Sequence, residues 1–217
     1  GDITGMADRI DTICGCFGVG PSLPLVKALK EKGNYVITVV EGRGPDFVFW
    51  TDRLGEFSDE VHVVTGCGKT AWANDFIEQE LQSGKKINRF FAHGCPFMMK
   101  VSSDASRAAG VDTTVSLTPI MVDGTGMCGA CRVEVGGETK FACVDGPEFE
   151  GHDINWDGLV LRLRQLIPEE DKSFNIWERD NWHKLMDCRH KKSFNPAKRM
   201  SVEEIEHTEA NCKLAGV

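Results

Sequence analysis

The chain has 217 residues, 41% of them hydrophobic and 27% charged, with a formal net charge of −8. That is enough apolar material for one ordinary domain or two small ones. The 25 Lys and Arg are scattered rather than massed, which argues against a nucleic-acid footprint or an anionic membrane surface as partner.

The longest apolar runs, such as residues 35–40 and 119–122, fall far short of the roughly 20 residues a membrane span needs. Residues 1–9 show no basic start followed by an apolar stretch, so no secretory signal is read and a cytoplasmic location is expected. Nine cysteines in such a protein point to metal or redox use rather than structural disulfides, because reducing compartments keep thiols unpaired.

Residues 10–117 alternate short β-rich runs with amphipathic stretches, the rhythm of βαβ units on a parallel sheet. A first strand is predicted over 10–14, then a glycine-rich turn and a helix over 22–32. In that helix Leu23, Leu25, Val26 and Leu29 recur at helical spacing, and Gly33 closes it. Strands follow over 35–40, 61–65, 89–92 and 113–117, with helices over 74–82 and 97–109. Five parallel strands make residues 1–118 an α/β domain of the nucleotide-binding kind.

From Pro119 the character changes to glycine-rich loops with clustered cysteines. Two short strands, 132–135 and 139–142, meet at Gly136-Gly137, and a helix is predicted over 157–166. Residues 119–166 thus read as a second, small module. Residues 167–217 read as an extended arm, polar and dotted with Trp177 and Trp182, with a last helix over 202–211. The burial need of the tryptophans is met equally well by a neighbouring subunit or by the chain's own domain.

The stretch from Asp123 through Cys128 and Cys131, with Cys143 beyond, has the C-x4-C-x2-C…C layout of a plant-ferredoxin-type [2Fe-2S] site in which an aspartate takes the place of the first cysteine. Such a cluster needs four anionic ligands around two irons, so the loop that supplies three of them has to wrap the inorganic sulfurs closely. Gly124, Gly126 and Gly129 permit that wrapping, and their N–H groups can donate to sulfur. A structural zinc site is the alternative for the same ligand types, although zinc does not call for the four-residue interval before the C-x2-C.

Residues 119–148 resemble the C-terminal cluster module of the electron-transfer subunits of dihydroorotate dehydrogenase B, sulfide dehydrogenase and the α subunit of NADH-dependent ferredoxin:NADP oxidoreductase. The likeness to the last two is closer, because an aspartate stands at the same place in their pattern. It extends upstream to Gly18, Gly20 and Pro21, similar to that family's nucleotide loop. It also covers Arg43 and Asp46 after the second strand, and Gly94 and Pro96 in its GxPxMM turn. The resemblance implies a ferredoxin-reductase-type fold and partner subunits carrying flavin or iron–sulfur clusters.

That family places a flavin barrel with an Arg-x-Tyr-Ser/Thr motif before the nucleotide domain. The only tyrosine here, Tyr35, lies in a strand without that motif, so FAD is not carried over. NAD(P) binding is weakened as well, because Cys14, Cys16 and Phe17 stand where the pyrophosphate needs bare backbone.

Cys14, Cys16, Cys67 and Cys95 all fall at or just beyond the carboxyl ends of predicted strands, which suggests a second cluster there, of the [4Fe-4S] kind, with His93 as a substitute for Cys67. Buried inert thiols are the competing reading. Cys188 and Cys212, near His190 and His207, match no metal spacing and are read as free thiols. The expected function is an electron-wiring subunit without catalytic residues of its own. The rivals are an NAD(P)H- or flavin-linked reductase whose barrel comes from another chain, and a zinc-stabilised scaffold.

Overall fold

In the computed structural model, which describes residues 8–42, 44, 48–65, 73–83 and 86–187, β1 (Arg9–Gly15) is the centre of the molecule's main sheet. Every residue of β1 after Arg9 is buried, as expected of a strand covered on both faces. In chain order follow α1 (Val19–Glu31), β2 (Tyr35–Gly42), α2 (Thr51–Gly55), β3 (Glu60–Thr65), α3 (Ala73–Gln82), β4 (Arg89–His93), α4 (Pro96–Ala108) and β5 (Thr113–Ser116). A hairpin of β6 (Arg132–Val135) and β7 (Glu138–Phe141) comes next, then β8 (Glu148–Glu150) and α5 (Trp156–Arg164).

The sheet order is β3-β2-β1-β4-β5-β8, with every pairing parallel except β5 with β8. The chain builds outward from β1 on one side and then crosses to the other, so the order reverses between β1 and β4. In such sheets the crevice at the carboxyl ends of those two strands is the usual binding place.

Two apolar layers flank the sheet. On one side Val19, Val26 and Leu29 of α1 and Leu54 of α2 cover Ile10, Cys14, Val36, Val40 and Phe91. On the other, Ile77 of α3, Met98 and Met99 of α4, and Trp156 and Leu159 of α5 cover Ile13, Ile37, Val39, Phe90, Ala92 and Val115. The alternation along each strand is the two-residue period of a pleated sheet.

Several elements differ from the sequence expectation. α1 begins at Val19 rather than Ser22, because a 3-10 turn over Cys16–Gly18 runs directly into it and leaves Pro24 inside the helix. Gly33, at φ 84°, ends α1 as expected. The short helix α2 and strand β8 carry too few apolar residues to show a period. Residues 167–187, expected as an extended arm, form a helix, α6 (Ile167–Asp187). Pro168 near its start and Glu169 and Glu170 in its first turn suit a helix N-terminus. The predicted helix over 202–211 lies outside the described residues.

Contacts divide the chain into two units, Gly1–Gln165 and Leu166–Val217. Within the first, the segment after Pro119 shares the sheet through β8 and shares the core through Val133, Ile154, Trp156 and Leu159. Gly151 sits where a Cβ would collide with Ser103 Oγ of α4 and crowd the Thr113 carbonyl, so a bare backbone lets the end of β8 lie against α4. Beside it Ser106 Oγ hydrogen-bonds Thr113 Oγ1 and meets His152 Nε2 at 3.1 Å.

The start of α1 is tied to the sheet by a buried polar contact. Ser22 Oγ donates to the Gly18 carbonyl at 2.8 Å and lies 3.0 Å from His93 Nδ1. With the serine proton used on Gly18, Nδ1 carries the hydrogen and donates to Ser22, leaving the Nε2 lone pair buried without a partner among the described residues. Burial holds the His93 imidazole at about 4, down from 6.5.

His93 should therefore shape the acid limb of stability. Above pH 6.5 both folded and unfolded chains hold it neutral. As pH falls from 6.5 towards 4 the unfolded chain takes up a proton that the folded chain refuses, and stability drops by on the order of 2–3 kcal/mol. Denaturant titrations between pH 4 and 7 should show this slope in the native chain and lose most of it in His93→Gln. An unchanged slope would place the imidazole in water.

Candidate metal centre

Between β5 and β6 the chain leaves the sheet in a loop organised by the side chain of Asp123. Its Oδ1 accepts from the Thr125 N–H at 3.0 Å and its Oδ2 from the Cys128 N–H at 2.7 Å. Gly124, Gly126 and Gly129 take φ of 72°, 83° and 66°, values that would strain any residue with a Cβ. At Gly126 a Cβ would also press on Val144 at 3.2 Å, so the loop lies close over the segment after β7.

The hairpin beneath supplies the other side of the site. Gly136 and Gly137, both at positive φ, form the tight turn that suits a right-handed twist, and β6 pairs with β7 from Arg132↔Phe141 to Val135↔Glu138. The pairing continues one step further, where Ala142 N donates to the Cys131 carbonyl at 3.1 Å. Cys131 and Cys143 are thereby held with their sulfurs 3.3 Å apart. Cys131 is buried, Cys143 half-buried and Cys128 exposed. Cys128 Sγ accepts from the Ala130 N–H at 3.5 Å.

From α5, Arg162 Nη2 donates to the Ala130 carbonyl at 3.1 Å and ties the loop to the helix. Sequence reasoning did not single out Arg162, since nothing in its spacing distinguishes it from other basic residues on an amphipathic helix.

The electrostatics favour anionic ligands at Asp123. The backbone N–H of Thr125, followed by that of Cys128, holds its carboxyl below the usual carboxylate range, so it stays ionised through neutral pH. At Cys143 the contact with Cys131 is the largest influence and pushes the thiol up, while the Gly126 N–H pulls the other way. An N–H already aimed at sulfur, an ionised carboxylate, two touching thiols and the thiol of Cys128 on the same loop are donors whose chemistry fits an iron–sulfur cluster. Among the described residues no three His, Cys, Asp or Glu side chains surround one point closely enough to hold a single ion. A two-iron cluster does not ask for that, since it spreads four ligands over two metals.

The carboxyl edge of the main sheet holds the remaining expected site residues. A Cβ on Gly18 would drive into the His93 carbonyl, and one on Gly94 would meet the Gly15 carbonyl at 2.8 Å, so both glycines serve the close approach of two loops. Gly20 and Pro21 lie in the first turn of α1, and Gly20 faces open space. Pro96 begins α4. Phe17, expected to crowd the loop, is 54% exposed. Arg43 and Asp46 lie outside the described residues.

Of the four edge cysteines, Cys14 is fully buried in the layer beneath α1, where burial pushes its thiol up to about 12 against the opposing contact of Ser22. Cys95 caps α4, accepting from Met98 N at 3.4 Å, and packs with the layer on the other side of the sheet. The Cys16 side chain and the whole of Cys67, Cys188 and Cys212 lie outside the described residues, as do His190 and His207.

Residues 118–155 match the family model for the iron–sulfur cluster binding domain of dihydroorotate dehydrogenase B. A Thermotoga maritima protein named as a homolog of the dihydroorotate dehydrogenase B (NAD(+)) electron transfer subunit is 44% identical over 162 residues, covering 74% of this chain and 57% of its own length. An uncharacterised Clostridium beijerinckii protein is 39% identical over 180 residues, covering 81% of this chain and 61% of its own. Among solved structures, a chain from the NADH-dependent reduced ferredoxin-NADP oxidoreductase superposes with a TM-score of 0.69 at 39% identity, over 80% of this chain and 64% of the other. The chain thus spans about 60% of the length of these relatives. The family model falls on the loop and hairpin just described, and the identities run through the parallel sheet as well, so in both parts the chain is similar to dihydroorotate dehydrogenase B electron-transfer subunits.

Proposed function

We propose that the chain is an electron-transfer subunit that holds a [2Fe-2S] cluster on Asp123, Cys128, Cys131 and Cys143 and passes single electrons between partner subunits of an oxidoreductase complex. The observation that carries this reading is the glycine loop in which Asp123 accepts from the N–H groups of Thr125 and Cys128 and Cys128 Sγ accepts from that of Ala130, followed by the paired sulfurs of Cys131 and Cys143. A bound cluster supplies one-electron redox chemistry. The chain's own part is to orient the four ligands, to present N–H groups to sulfur and to set how much water reaches them.

Met127, 88% exposed, and Val122, 74% exposed, stand on the loop with Met121 and Val144 beside them. Apolar surface gathered around an electron site supports a protein partner that covers it on docking. No helix among the described residues is long and apolar enough to cross a membrane.

A second cluster of the [4Fe-4S] kind on Cys14, Cys16, Cys67 and Cys95 is the further part of the reading. It is supported by the place of Cys14 and Cys95 at the ends of adjacent strands and opposed by their lying in different layers. The alternative function, a nucleotide-linked reductase using Gly18, Gly20, Pro21, Arg43, Asp46, Gly94 and Pro96, is supported by the uncapped start of α1 with open space at Gly20.

Asp123→Ala should leave the hairpin folded yet lose most of the cluster, whereas Asp123→Cys should keep it with a shifted reduction potential. Visible spectra with a redox titration check this, and a spectrum and potential unaltered in Asp123→Ala would show that another group ligates. Iron and acid-labile sulfide in protein prepared without oxygen should come to about two per chain from the Asp123 site alone, and to about six iron if the second cluster is present. Calorimetry with NADH, NADPH and FAD should show at most weak binding by this chain. Stoichiometric, tight uptake of any of them would replace the wiring role with the reductase.

A further inference from the structure

We infer that Cys131 and Cys143 form a reversible dithiol–disulfide site that closes when the loop carries no cluster, with Cys128 left out of the bond. The two sulfurs stand 3.3 Å apart, and a disulfide needs them about 1.3 Å closer, a movement within reach of side-chain rotation. The β6–β7 pairing and the Ala142 N to Cys131 carbonyl bond hold Cys131 opposite Ala142, with Cys143 next in the chain. Cys128 lies on the far side of Gly129, exposed, with its sulfur turned to the Ala130 N–H.

The unequal burial of the pair assigns the order of events with a peroxide as oxidant. Of these two, the half-buried Cys143 is the more open to the oxidant. Its sulfur attacks the O–O bond, one oxygen leaves as hydroxide and takes the thiol proton as water, and the sulfur keeps the other oxygen as a sulfenic acid. The buried Cys131 sulfur then attacks that sulfur, forms the S–S bond and expels the second hydroxide, which takes the Cys131 proton and leaves as water. Two thiols have lost two electrons and the peroxide has become two waters. A dithiol reductant reverses the reaction by thiol–disulfide exchange.

The bond would serve as a parking state. A sulfenic acid with no neighbour proceeds to irreversible sulfinic acid, whereas one beside a second thiol is diverted into a disulfide. Cys131 in contact with Cys143 gives the cluster-free loop that protection. A second consequence rests on the cluster reading above, namely that disulfide and cluster exclude each other because they use the same two sulfurs.

The test uses the full chain, freed of metal under reducing conditions and then exposed to stoichiometric hydrogen peroxide. After blocking with an alkylating agent, mass spectrometry should find Cys131 and Cys143 joined, the chain about 2 Da lighter before alkylation, and Cys128 alkylated. Dithiothreitol should restore both thiols, and Cys143→Ser should yield no cross-link while keeping the native circular dichroism. Alkylation at all three positions, or a bond from Cys128 to either partner, would overturn the inference. Loading with ferrous iron and sulfide separates the two claims: the oxidised chain should form at least about tenfold less of the two-iron cluster, read from its visible bands, than the reduced one. Equal two-iron bands from a chain shown, after loading, still to carry the Cys131–Cys143 bond would reject the ligand set while leaving the disulfide in place.

Discussion

The pairing of β8 with β5 is the constraint on which the rest of the site depends. Leu117 N donates to the Pro147 carbonyl at 2.9 Å and Val115 lies opposite Phe149, so the chain that leaves the sheet after β5 returns to the same edge. Everything between, the glycine loop and the hairpin with the thiols, is an excursion with both ends anchored. Closing a loop of this length costs entropy that grows only slowly with length, and the cost is met once, at the sheet edge and in the core beneath α4 and α5. The loop itself is then free to use left-handed glycines and exposed polar backbone without having to hold the fold together.

Within that frame, charge and backbone dipoles are arranged around Asp123. A carboxylate accepting two N–H groups is both a turn-forming device and an anion at the right place for a ligand. The two roles are compatible because each oxygen keeps a lone pair after accepting one hydrogen bond. The thiols are arranged differently. Cys128 is open to water, Cys131 is not, and Cys143 lies between, a gradient across one site that makes the ligands chemically unequal.

The carboxyl edge of the sheet follows a different logic. Where strand order reverses, Gly18 and Gly94 let the first and fourth loops approach backbone to backbone, and Ser22 and His93 fasten the start of α1 to β4. Cys14 belongs to the apolar layer under that helix, with a thiol that burial keeps protonated. A metal would have to deprotonate it outright, as bound cations can. The edge is closely packed where Gly18 meets His93 and Gly94, and open at Gly20 and around the exposed ring of Phe17.

The local pattern of residues was enough to determine the five parallel strands and the hairpin turn at Gly136-Gly137, and to single out Asp123, Cys128, Cys131 and Cys143 as candidate ligands. Each depends on periodicity or spacing along a short stretch, which sequence expresses directly. Strand β8 was not legible because Glu-Phe-Glu has one apolar residue and owes its strand state to the edge of β5. The 3.3 Å approach of Cys131 to Cys143, the tie of Arg162 to the loop and the burial of Cys14 were decided only in three dimensions. Distance and burial arise from what distant segments place around a side chain, and the order of residues along the chain carries no record of that until the sheet and its two layers have formed.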